Sequence, residues 1–271
     1  MQLNSAAIVF FSPTGTTKKI LLAINQGLQI ANPRIIDFTS VAARQTSLDR
    51  FEEDLVIIGV PVYEERIPEV VTSNLEKLRG KAQPVILVAV YGNIGYGITL
   101  QELNHLAESN GFTVIAAASY IGEHSFSTPE LPIAPGRPDA DDLEHAKNFG
   151  RLIKEKLNKI DDLSHIEKLT LPGHLPLMAR ILPKNSASLF SKDPESIKDR
   201  CNHCRLCVKH CPVSAIHSDT LQVNSNICLR CFACVKKCPK KARAIIFKKR
   251  WLVSRVLKAQ SRKRRNPEIF L

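Results

Sequence analysis

The chain has 271 residues and a mass of 30.2 kDa, which is enough for one mid-sized α/β domain and a smaller second domain. Its 44% hydrophobic content is ordinary for a globular protein, and no apolar run reaches the roughly 20 residues of a membrane-spanning helix. The net charge of +12 is concentrated at one end, because fourteen Lys and Arg but one acid, Glu268, lie from Lys236 onward. No basic leader precedes the first apolar run, so we expect a cytoplasmic protein without a signal peptide.

The first part of the chain alternates apolar runs with segments of helical periodicity. The apolar runs predict five strands, at Ala6–Phe11, Arg34–Phe38, Asp54–Val60, Pro84–Val90 and Thr113–Tyr120. Apolar residues at helical spacing predict helices, at Thr17–Ile30, Glu69–Leu78, Ile98–Asn110 and Asp141–Leu157. The third and fourth runs are apolar throughout, as in central parallel strands covered on both faces. This alternation predicts an α/β fold with a doubly wound, five-stranded parallel sheet.

Residues 160–199 break this alternation. The segment is long for a connection without structure, and turn-forming residues interrupt it, namely Pro172, Gly173, Pro176, Pro183 and Pro194. It also contains apolar side chains that a packed segment would bury, namely Leu175, Leu177, Met178, Ile181 and Leu182. We therefore expect a packed linker, and the alternative is a mobile tether.

All eight cysteines lie in two repeats of the form C-x₂-C-x₂-C-x₃-C-P, which read CNHCRLCVKHCP and CLRCFACVKKCP. A [4Fe–4S] cluster needs four thiolates, and in two-cluster proteins three come from one repeat and the fourth from the other. One predicted cluster is therefore bound by Cys201, Cys204, Cys207 and Cys238. The second is bound by Cys228, Cys231, Cys234 and Cys211. The alternatives are zinc knuckles or cysteines kept for packing, but zinc sites usually use two ligand pairs, often with His.

The region Arg200–Phe247 resembles bacterial-type two-cluster ferredoxins, and each repeat keeps a proline, Pro212 or Pro239, after its fourth cysteine. The resemblance implies one-electron transfer at low potential and sensitivity to oxygen. It places a small α+β ferredoxin-type domain at 200–247, followed by a basic tail at 248–271. His203 and His210 lie inside the repeats but are not expected to be ligands, because the cysteines already fill both clusters.

The loop after the first strand has the composition of a phosphate site. Residues 12–17 read S-P-T-G-T-T and lead into a predicted helix, so they offer four hydroxyls, backbone N–H groups and the positive end of a helix. The loop has neither the G-K-[ST] of a Walker A loop nor the G-x-G-x-x-G dinucleotide fingerprint. With little positive charge, it suits a single phosphomonoester. The alternative is an N-capped turn in which Ser and Thr serve as caps.

The loops after the third and fourth strands extend this candidate site, because ligands of open parallel sheets bind beyond the carboxyl ends of the strands. Residues 61–68 read P-V-Y-E-E-R-I-P, and residues 91–97 read Y-G-N-I-G-Y-G. Aromatic side chains can stack on a flat ring system, and glycines let backbone amides approach its edge. Together with the phosphate loop, these two loops predict FMN.

Ile8–Thr17 matches the flavodoxin FMN-phosphate signature, and nearly the whole chain resembles the EFR1 family of flavodoxin–ferredoxin fusion proteins. That family carries the S-P-T-G-T-T loop, a Y-G-N-x-G-Y-G loop, a proline-bearing linker and two [4Fe–4S] motifs. The resemblance implies a flavodoxin-like domain at 1–159 with strand order 2-1-3-4-5. It implies a phosphate cradle of Ser12, Thr14, Gly15, Thr16 and Thr17. It implies that Tyr63 and Tyr96 are ring-side residues, and that Gly92, Asn93 and Gly95 form the loop bordering the reactive edge of the isoalloxazine. The alternative for both tyrosines is an ordinary surface or packing role. Classical flavodoxins often flank the ring with Trp, whereas the single Trp here, Trp251, lies in the tail.

Two further residues lie in loops on the same edge of the predicted sheet. His124 follows the fifth strand, and we favour an ordinary loop histidine over a proton donor to reduced flavin. Arg137 precedes the last predicted helix of this part of the chain. A loop salt bridge explains Arg137 at least as well as neutralisation of a flavin or phosphate does.

The basic tail has several interpretations. Lys248–Arg262 is amphipathic if it is helical, and its charge suits an acidic redox partner protein or an anionic membrane surface. Nucleic acid is disfavoured as a partner, because no DNA- or RNA-binding fold accompanies the tail. The alternative is a solvated helix that folds back on the protein.

The sequence thus predicts an electron-transfer iron–sulfur flavoprotein that relays single electrons between two [4Fe–4S] clusters and FMN, without a catalytic residue. We favour this electron carrier over an FMN-dependent oxidoreductase that acts on a small substrate, and enzymatic activity is left open. A redox-sensing nucleic-acid-binding protein is the third hypothesis. No separate NAD(P) fingerprint is visible, which counts against direct oxidation of a nicotinamide.

Overall fold

The computed structural model describes residues 3–47, 50–160, 162–163, 166–175, 177 and 186–271. The strands are β1 (Ala6–Phe10), β2 (Arg34–Asp37), β3 (Leu55–Pro61), β4 (Pro84–Tyr91), β5 (Thr113–Ile121), β6 (Glu195–Ser196), β7 (Arg243–Ala244) and β8 (Glu268–Phe270). The α-helices are α1 (Thr16–Leu28), α2 (Val41–Gln45), α3 (Glu69–Leu75), α4 (Thr99–Ser109), α5 (Ala140–Asn158), α6 (Ala187–Phe190), α7 (Leu206–Lys209), α8 (Ala233–Lys236) and α9 (Arg250–Ser261). Every strand and helix that the sequence predicts is present, with bounds that move by three residues at most.

The main sheet has the strand order β2-β1-β3-β4-β5-β8. The first five of these strands are parallel, and Ile57 lies between Ile8 on β1 and Ile86 on β4. The register between β4 and β5 shifts by one residue at Val85/Ile86. The order 2-1-3-4-5 is that of flavodoxin-like folds, and it confirms the predicted fold class. The antiparallel β8, which pairs Ile269 with Ala118 at the β5 edge, was not predicted. Its three residues are too few to form a recognisable apolar pattern.

Both faces of the sheet are buried under helices, because successive side chains of a strand point to opposite faces. On β1, Ile8 and Phe10 lie in the hydrophobic cluster with α1 and α5, whereas Val9 lies in the cluster with α3 and α4. The helices α1 and α5 are in close contact through Gly150. A Cβ at that position would lie 2.1 Å from the carbonyl oxygen of Ile24.

The described parts of residues 160–199 are packed only in part, because Leu177, which a packed linker would bury, is 72% exposed. Leu171 is buried in the cluster with α3 and α4, and the side-chain amide of Gln101 donates a hydrogen bond to its carbonyl oxygen at 3.1 Å. The strand β6 pairs with β7, so these residues belong structurally with the cysteine region. The other predicted linker residues fall outside the described ranges, namely Pro176, Met178, Ile181, Leu182 and Pro183. The domain boundaries stay a prediction.

The C-terminal residues fold back onto the protein. Helix α9 packs through Val253 and Leu257 into a cluster with Phe126, Leu131 and Phe232, and β8 then joins the main sheet. This arrangement, a helix that folds back on the protein, is the alternative predicted from the sequence for the basic tail. In the described portion of the chain, no helix is long and apolar enough to span a membrane.

Candidate cofactor sites

The eight cysteines line two separate cavities. The cavity that we call the outer site is lined by Cys201, Cys204, Cys207 and Cys238. The inner site is lined by Cys211, Cys228, Cys231 and Cys234. In each cavity, three cysteines come from one repeat and the fourth comes from the other, which is the partition that the spacing predicts. Among the described residues, no three His, Cys, Asp or Glu side chains converge closely enough to hold a single metal ion.

The two repeats have the same backbone conformation, 27 residues apart in the chain. In the first repeat, His203 and Arg205 flank the second cysteine with φ of 53° and 57°, and in the second repeat Arg230 and Phe232 have φ of 51° and 53°. A left-handed conformation costs a non-glycine residue roughly 1–2 kcal/mol. Each repeat therefore contains a strained turn with two of these residues. This turn directs the first three cysteines of the repeat toward one cavity.

Hydrogen-bond donors face several of the cysteine sulfurs. The fourth cysteine of each repeat accepts a backbone N–H bond at 3.2 Å, from Ala215 to Cys211 and from Ala242 to Cys238. The guanidinium of Arg243, which is buried, lies 3.6 Å from the sulfur of Cys207. Such donors stabilise a thiolate and tune an iron–sulfur cluster. Arg243 has no motif that marks it in the sequence, and the sequence analysis missed it.

The outer and inner sites differ in their exposure to solvent. Cys204 of the outer site is exposed and its three companions are partly exposed, whereas Cys228, Cys231 and Cys234 of the inner site are buried. Burial raises the pKa of the Cys234 thiol to about 12, and the charge of Arg243 opposes this rise. A buried thiolate is stable when a bound metal neutralises it, so both cavities suit a thiolate-ligated cluster. The ligation itself stays a prediction.

The phosphate loop surrounds the N-terminus of α1. Gly15 is the N-cap residue and has φ of 91°. Because it has no side chain, it leaves the first backbone N–H groups of the helix without a side-chain cap. Its own N–H donates to the carbonyl oxygen of Ser12 at 3.1 Å. The hydroxyl of Ser12 accepts the N–H of Lys18 at 3.1 Å. The hydroxyl of Thr17 is buried and has no hydrogen-bond partner among the described residues. A phosphate would satisfy this hydroxyl and the helix N–H groups, so the loop fits the phosphate of FMN.

The loop after β3 is a tight hairpin turn. Tyr63 and Arg66 exchange two backbone hydrogen bonds at 3.0 and 3.1 Å across Glu64 and Glu65, both of which have positive φ. The ring of Tyr63 lies edge-on to that of Phe11, with 6.4 Å between centroids. Burial, followed by the charge of Cys231 in the inner site, raises the pKa of the Tyr63 phenol. Tyr63, a predicted ring-side residue, therefore lies near the inner site.

The loop after β4 is bound by the C-terminal segment. The side chain of Asn93 is buried, donates to the carbonyl oxygens of Ser261 and Lys263, and accepts the N–H of Arg265, each at 3.0 Å. The Tyr96 hydroxyl donates to the carboxylate of Glu268 at 2.7 Å. These partners are about 170 positions away in the sequence, so no local sequence pattern predicts these hydrogen bonds. The roles of Asn93, Tyr96 and their loop at a flavin stay predictions.

His124 and Arg137 make local contacts. The Nδ1 atom of His124 accepts the N–H of Phe126 at 3.0 Å, and burial together with Lys236 lowers its pKa to about 4, so it is neutral near pH 7. Its ring also lies against Gly92, where an added Cβ would be 2.3 Å from the ring. Arg137 forms a buried ion pair with Asp142. These contacts agree with the loop-histidine and salt-bridge interpretations.

The cysteine region is docked on the carboxyl-terminal edge of the main sheet. Beyond β5, Lys236 on α8 pairs with Glu123 at 2.6 Å and donates to the carbonyl oxygen of Ser127 at 2.7 Å. The rings of Phe126 and Phe232 lie 5.3 Å apart.

A second contact region lies beyond β1 and β2. Arg44 donates to the carbonyl oxygen of Pro212. Lys237 is near enough to Asp37 and Lys18 for their charges to act on its pKa, which burial lowers. The inner site thus lies on the same sheet edge as the phosphate loop.

One comparison with known protein families concerns the cysteine region. Residues 194–241 match the family model described as a 4Fe-4S dicluster domain, so this region is a 4Fe-4S domain. No curated protein gives a significant match to the chain.

Solved structures resemble the first part of the chain only at low identity. A flavodoxin from the domain Archaea is 18% identical, with 57% of this chain and 99% of that one covered, at a TM-score of 0.40. Flavodoxin 2 from Bacillus cereus is 15% identical, with 56% and 99% covered, at a TM-score of 0.42. The Streptococcus pneumonia TIGR4 flavodoxin is 16% identical, with 56% and 99% covered, at a TM-score of 0.39.

Proposed function

We propose that this protein is an electron carrier that relays single electrons between two [4Fe–4S] clusters and one FMN. The observation that carries the proposal is the position of the inner site on the sheet edge that holds the phosphate loop, where Arg44 donates a hydrogen bond to Pro212 of the cavity lining. When bound, each cluster supplies one-electron transfer and the flavin can take up one electron or two. Membership of the EFR1 family and the cytoplasmic location stay predictions.

The difference in exposure gives the relay a direction in space. The outer site, with exposed Cys204, faces solvent and is the point where an external partner protein exchanges electrons. The inner site, with buried Cys231, is lined by Phe232, which packs against Phe126 beyond β5. The chain holds these sites together through the Lys236–Glu123 ion pair and the Phe126–Phe232 contact. A fixed arrangement removes the need for a diffusional encounter between donor and acceptor.

The first experiment is anaerobic purification followed by iron, sulfide and flavin quantitation on the same sample. About eight iron, eight sulfide and one FMN per chain would support the relay. Full iron without flavin would contradict the FMN site, and about four iron per chain would contradict a second cluster. Turnover of a small substrate without a partner protein would favour the oxidoreductase alternative. Salt-dependent nucleic-acid binding would favour the redox-sensing alternative.

A matched pair of variants tests the phosphate loop. Thr17→Val removes a buried hydroxyl at the start of α1, and Thr99→Val removes a buried hydroxyl at the start of α4; neither hydroxyl has a partner among the residues that the structure describes. A hydrogen bond to a charged group contributes about 1.5–3 kcal/mol, so Thr17→Val should weaken FMN binding by roughly tenfold or more. Thr99→Val should leave FMN affinity unchanged. Equal effects in a flavin titration, with iron content unchanged, would remove the loop from the proposed site.

A further inference from the structure

Helix α9 is covered on one side and carries further large apolar side chains that are exposed. Val253 and Leu257 are 4% and 9% exposed and pack into the cluster with Phe126 and Phe232. Around the rest of the helix, large apolar side chains remain in solvent: Trp251 is 70% exposed, Leu252 is 42% exposed and Val256 is 40% exposed. We call these three residues the outer face of α9. An exposed apolar group of this size, in a protein with a complete core, indicates a surface for docking.

A second exposed apolar side chain lies close to the start of α9. The N–H of Lys248 donates to the carbonyl oxygen of Phe190 at 2.9 Å, which places α6 beside the beginning of α9. Leu189 on α6 is 50% exposed. Leu189 is therefore an additional exposed apolar residue on the element beside the start of α9.

The outer face is surrounded by positive charge. Residues 248–263 contain seven cations and no acid, and the cations are Lys248, Lys249, Arg250, Arg255, Lys258, Arg262 and Lys263. Glu130, whose pKa is lowered by its own hydrogen bonds and to a lesser extent by Arg250, is an acidic neighbour. In the described part of the chain, no ion pair uses a cation of 248–263. These charges are therefore available to an anionic surface.

We propose that α9 docks the protein on an anionic lipid surface, with Trp251, Leu252 and Val256 inserted at the boundary between headgroups and acyl chains. A helix with one covered side, and with large apolar residues and cations on its exposed sides, has the composition of an interfacial helix. Tryptophan favours this boundary because its ring is apolar and its N–H is polar.

The high proportion of Lys among these cations, and the mobility of Lys side chains, favour a lipid surface over an acidic protein as the partner. Four of the seven cations are Lys, which is depleted in protein–protein interfaces, where Arg is enriched. Lys acts well as a mobile point charge against a diffuse anionic surface. The proposal is independent of the electron relay, because it uses no residue of either cysteine cavity or of the flavin loops.

The test uses the full-length holoprotein and vesicles of phosphatidylcholine with and without phosphatidylglycerol. Trp251 is the only tryptophan, so its emission reports on the outer face directly. We expect co-flotation and a blue shift of the emission with anionic vesicles only, both weakened as salt rises. The absence of flotation with anionic vesicles, or equal flotation with neutral ones, would overturn the proposal. So would the same emission shift with soluble polyglutamate, because that result would indicate an acidic protein partner.

Two variants separate the apolar and the charged contributions. Leu252→Ser should reduce the blue shift while Trp251 remains as reporter. Arg255→Glu/Lys258→Glu should weaken flotation by at least about tenfold, because each cation near an anionic surface contributes measurably to binding. The matched control is Lys77→Glu/Lys168→Glu, which reverses two exposed charges elsewhere and should bind as the parent does. Equal losses in both double variants would mean that net charge alone drives binding, and would overturn a role for α9. Unchanged iron and flavin content verifies that each variant is folded.

Discussion

Among single side chains, two buried arginines next to the cysteines stand out. Arg243 is 5% exposed, faces the sulfur of Cys207, and also donates to the carbonyl oxygens of Leu221 and Pro194. Arg230 is buried in the second repeat and pairs with Asp193 at 3.0 Å. A buried cation near a cluster favours the reduced state, because reduction adds negative charge.

Arg243→Gln should lower the midpoint potential of the cluster in the outer site. The expected shift is roughly 60 mV, which corresponds to about a tenfold change in a one-electron equilibrium. Potentiometric titration followed by EPR measures it. Arg205→Gln is the matched control, because Arg205 lies in the same repeat but is 60% exposed and paired with Asp219, so solvent screens its charge. Equal shifts in both variants would contradict a specific role for Arg243.

His124 should make the stability of the protein depend on pH. Its pKa is about 4 in the folded protein, lowered from 6.5 first by burial and then by Lys236, so the unfolded chain binds more protons between these values. Stability should therefore fall as the pH drops below 6.5, by about 2 kcal/mol at most at pH 5. Chemical denaturation of the parent and His124→Asn at pH 7 and pH 5 measures the difference. If the variant loses as much stability as the parent, another group is responsible.

Among the helices and strands, α1 and α5 depend on small residues where they touch. A Cβ at Gly150 would lie 2.1 Å from the carbonyl oxygen of Ile24, and a Cβ at Gly27 would lie 1.9 Å from that of Lys147. These neighbours are backbone atoms, which cannot rotate away. The two helices cover the face of the sheet next to the phosphate loop, so their spacing helps to position the N-terminus of α1.

Gly150→Ala should destabilise the fold by about 1–3 kcal/mol, because the helices must separate to admit the methyl group. The thermal midpoint should fall by roughly 2–4 °C per kcal/mol. Gly136→Ala provides a contrast, because an added Cβ there meets nothing within 4 Å although φ is +74°. Its cost should be only the roughly 1–2 kcal/mol of a left-handed alanine. A loss for Gly150→Ala well below about 1 kcal/mol would contradict the packing argument.

Sequence pattern predicted the elements that are buried on both sides or periodic, and missed the short ones. Residues 84–91 are buried throughout, so they formed an unmistakable apolar run. By contrast, α2 has five residues and no buried side chain, and β8 has three residues. The partition of the cysteines was readable because both repeats keep the same spacing. The hydrogen-bond partners of Asn93 could not be predicted from the sequence, because only the folding of the C-terminal segment places them next to it.

In the molecule as a whole, the C-terminal segment joins parts that are distant in sequence. After α9, the N–H of Arg265 donates a hydrogen bond to Asn93 on the loop after β4. The carbonyl oxygen of Arg265 accepts a hydrogen bond from Arg137 at 2.8 Å, and the segment then pairs with β5 as β8. A basic segment that looked like a free tail is thus partly an internal connection. This changes the interpretation of its charge, because Arg264 pairs with Asp139 at 2.8 Å.

Removal of residues 262–271 should weaken the sheet domain more than the cysteine region. The truncated protein loses β8 and hydrogen bonds to Asn93, Tyr96 and Arg137, so its thermal midpoint and its FMN content should fall. Its iron content should stay near that of the full chain. Tyr96→Phe, which removes a single hydrogen bond to Glu268, should show a much smaller change. Loss of iron before loss of flavin would contradict this division.

The pairing of β8 with β5 has a consequence for how the protein is made. The strands β1 to β5 are complete once residue 121 has been synthesised, but the edge of β5 stays open until residues 268–270 emerge. An open strand edge is a template for pairing with other chains. During translation, the nascent sheet must therefore remain unpaired at one side while the whole cysteine region is added. The hydrogen bonds between β5 and β8 can form only after the cysteine region has been synthesised, so this edge of the main sheet is covered late.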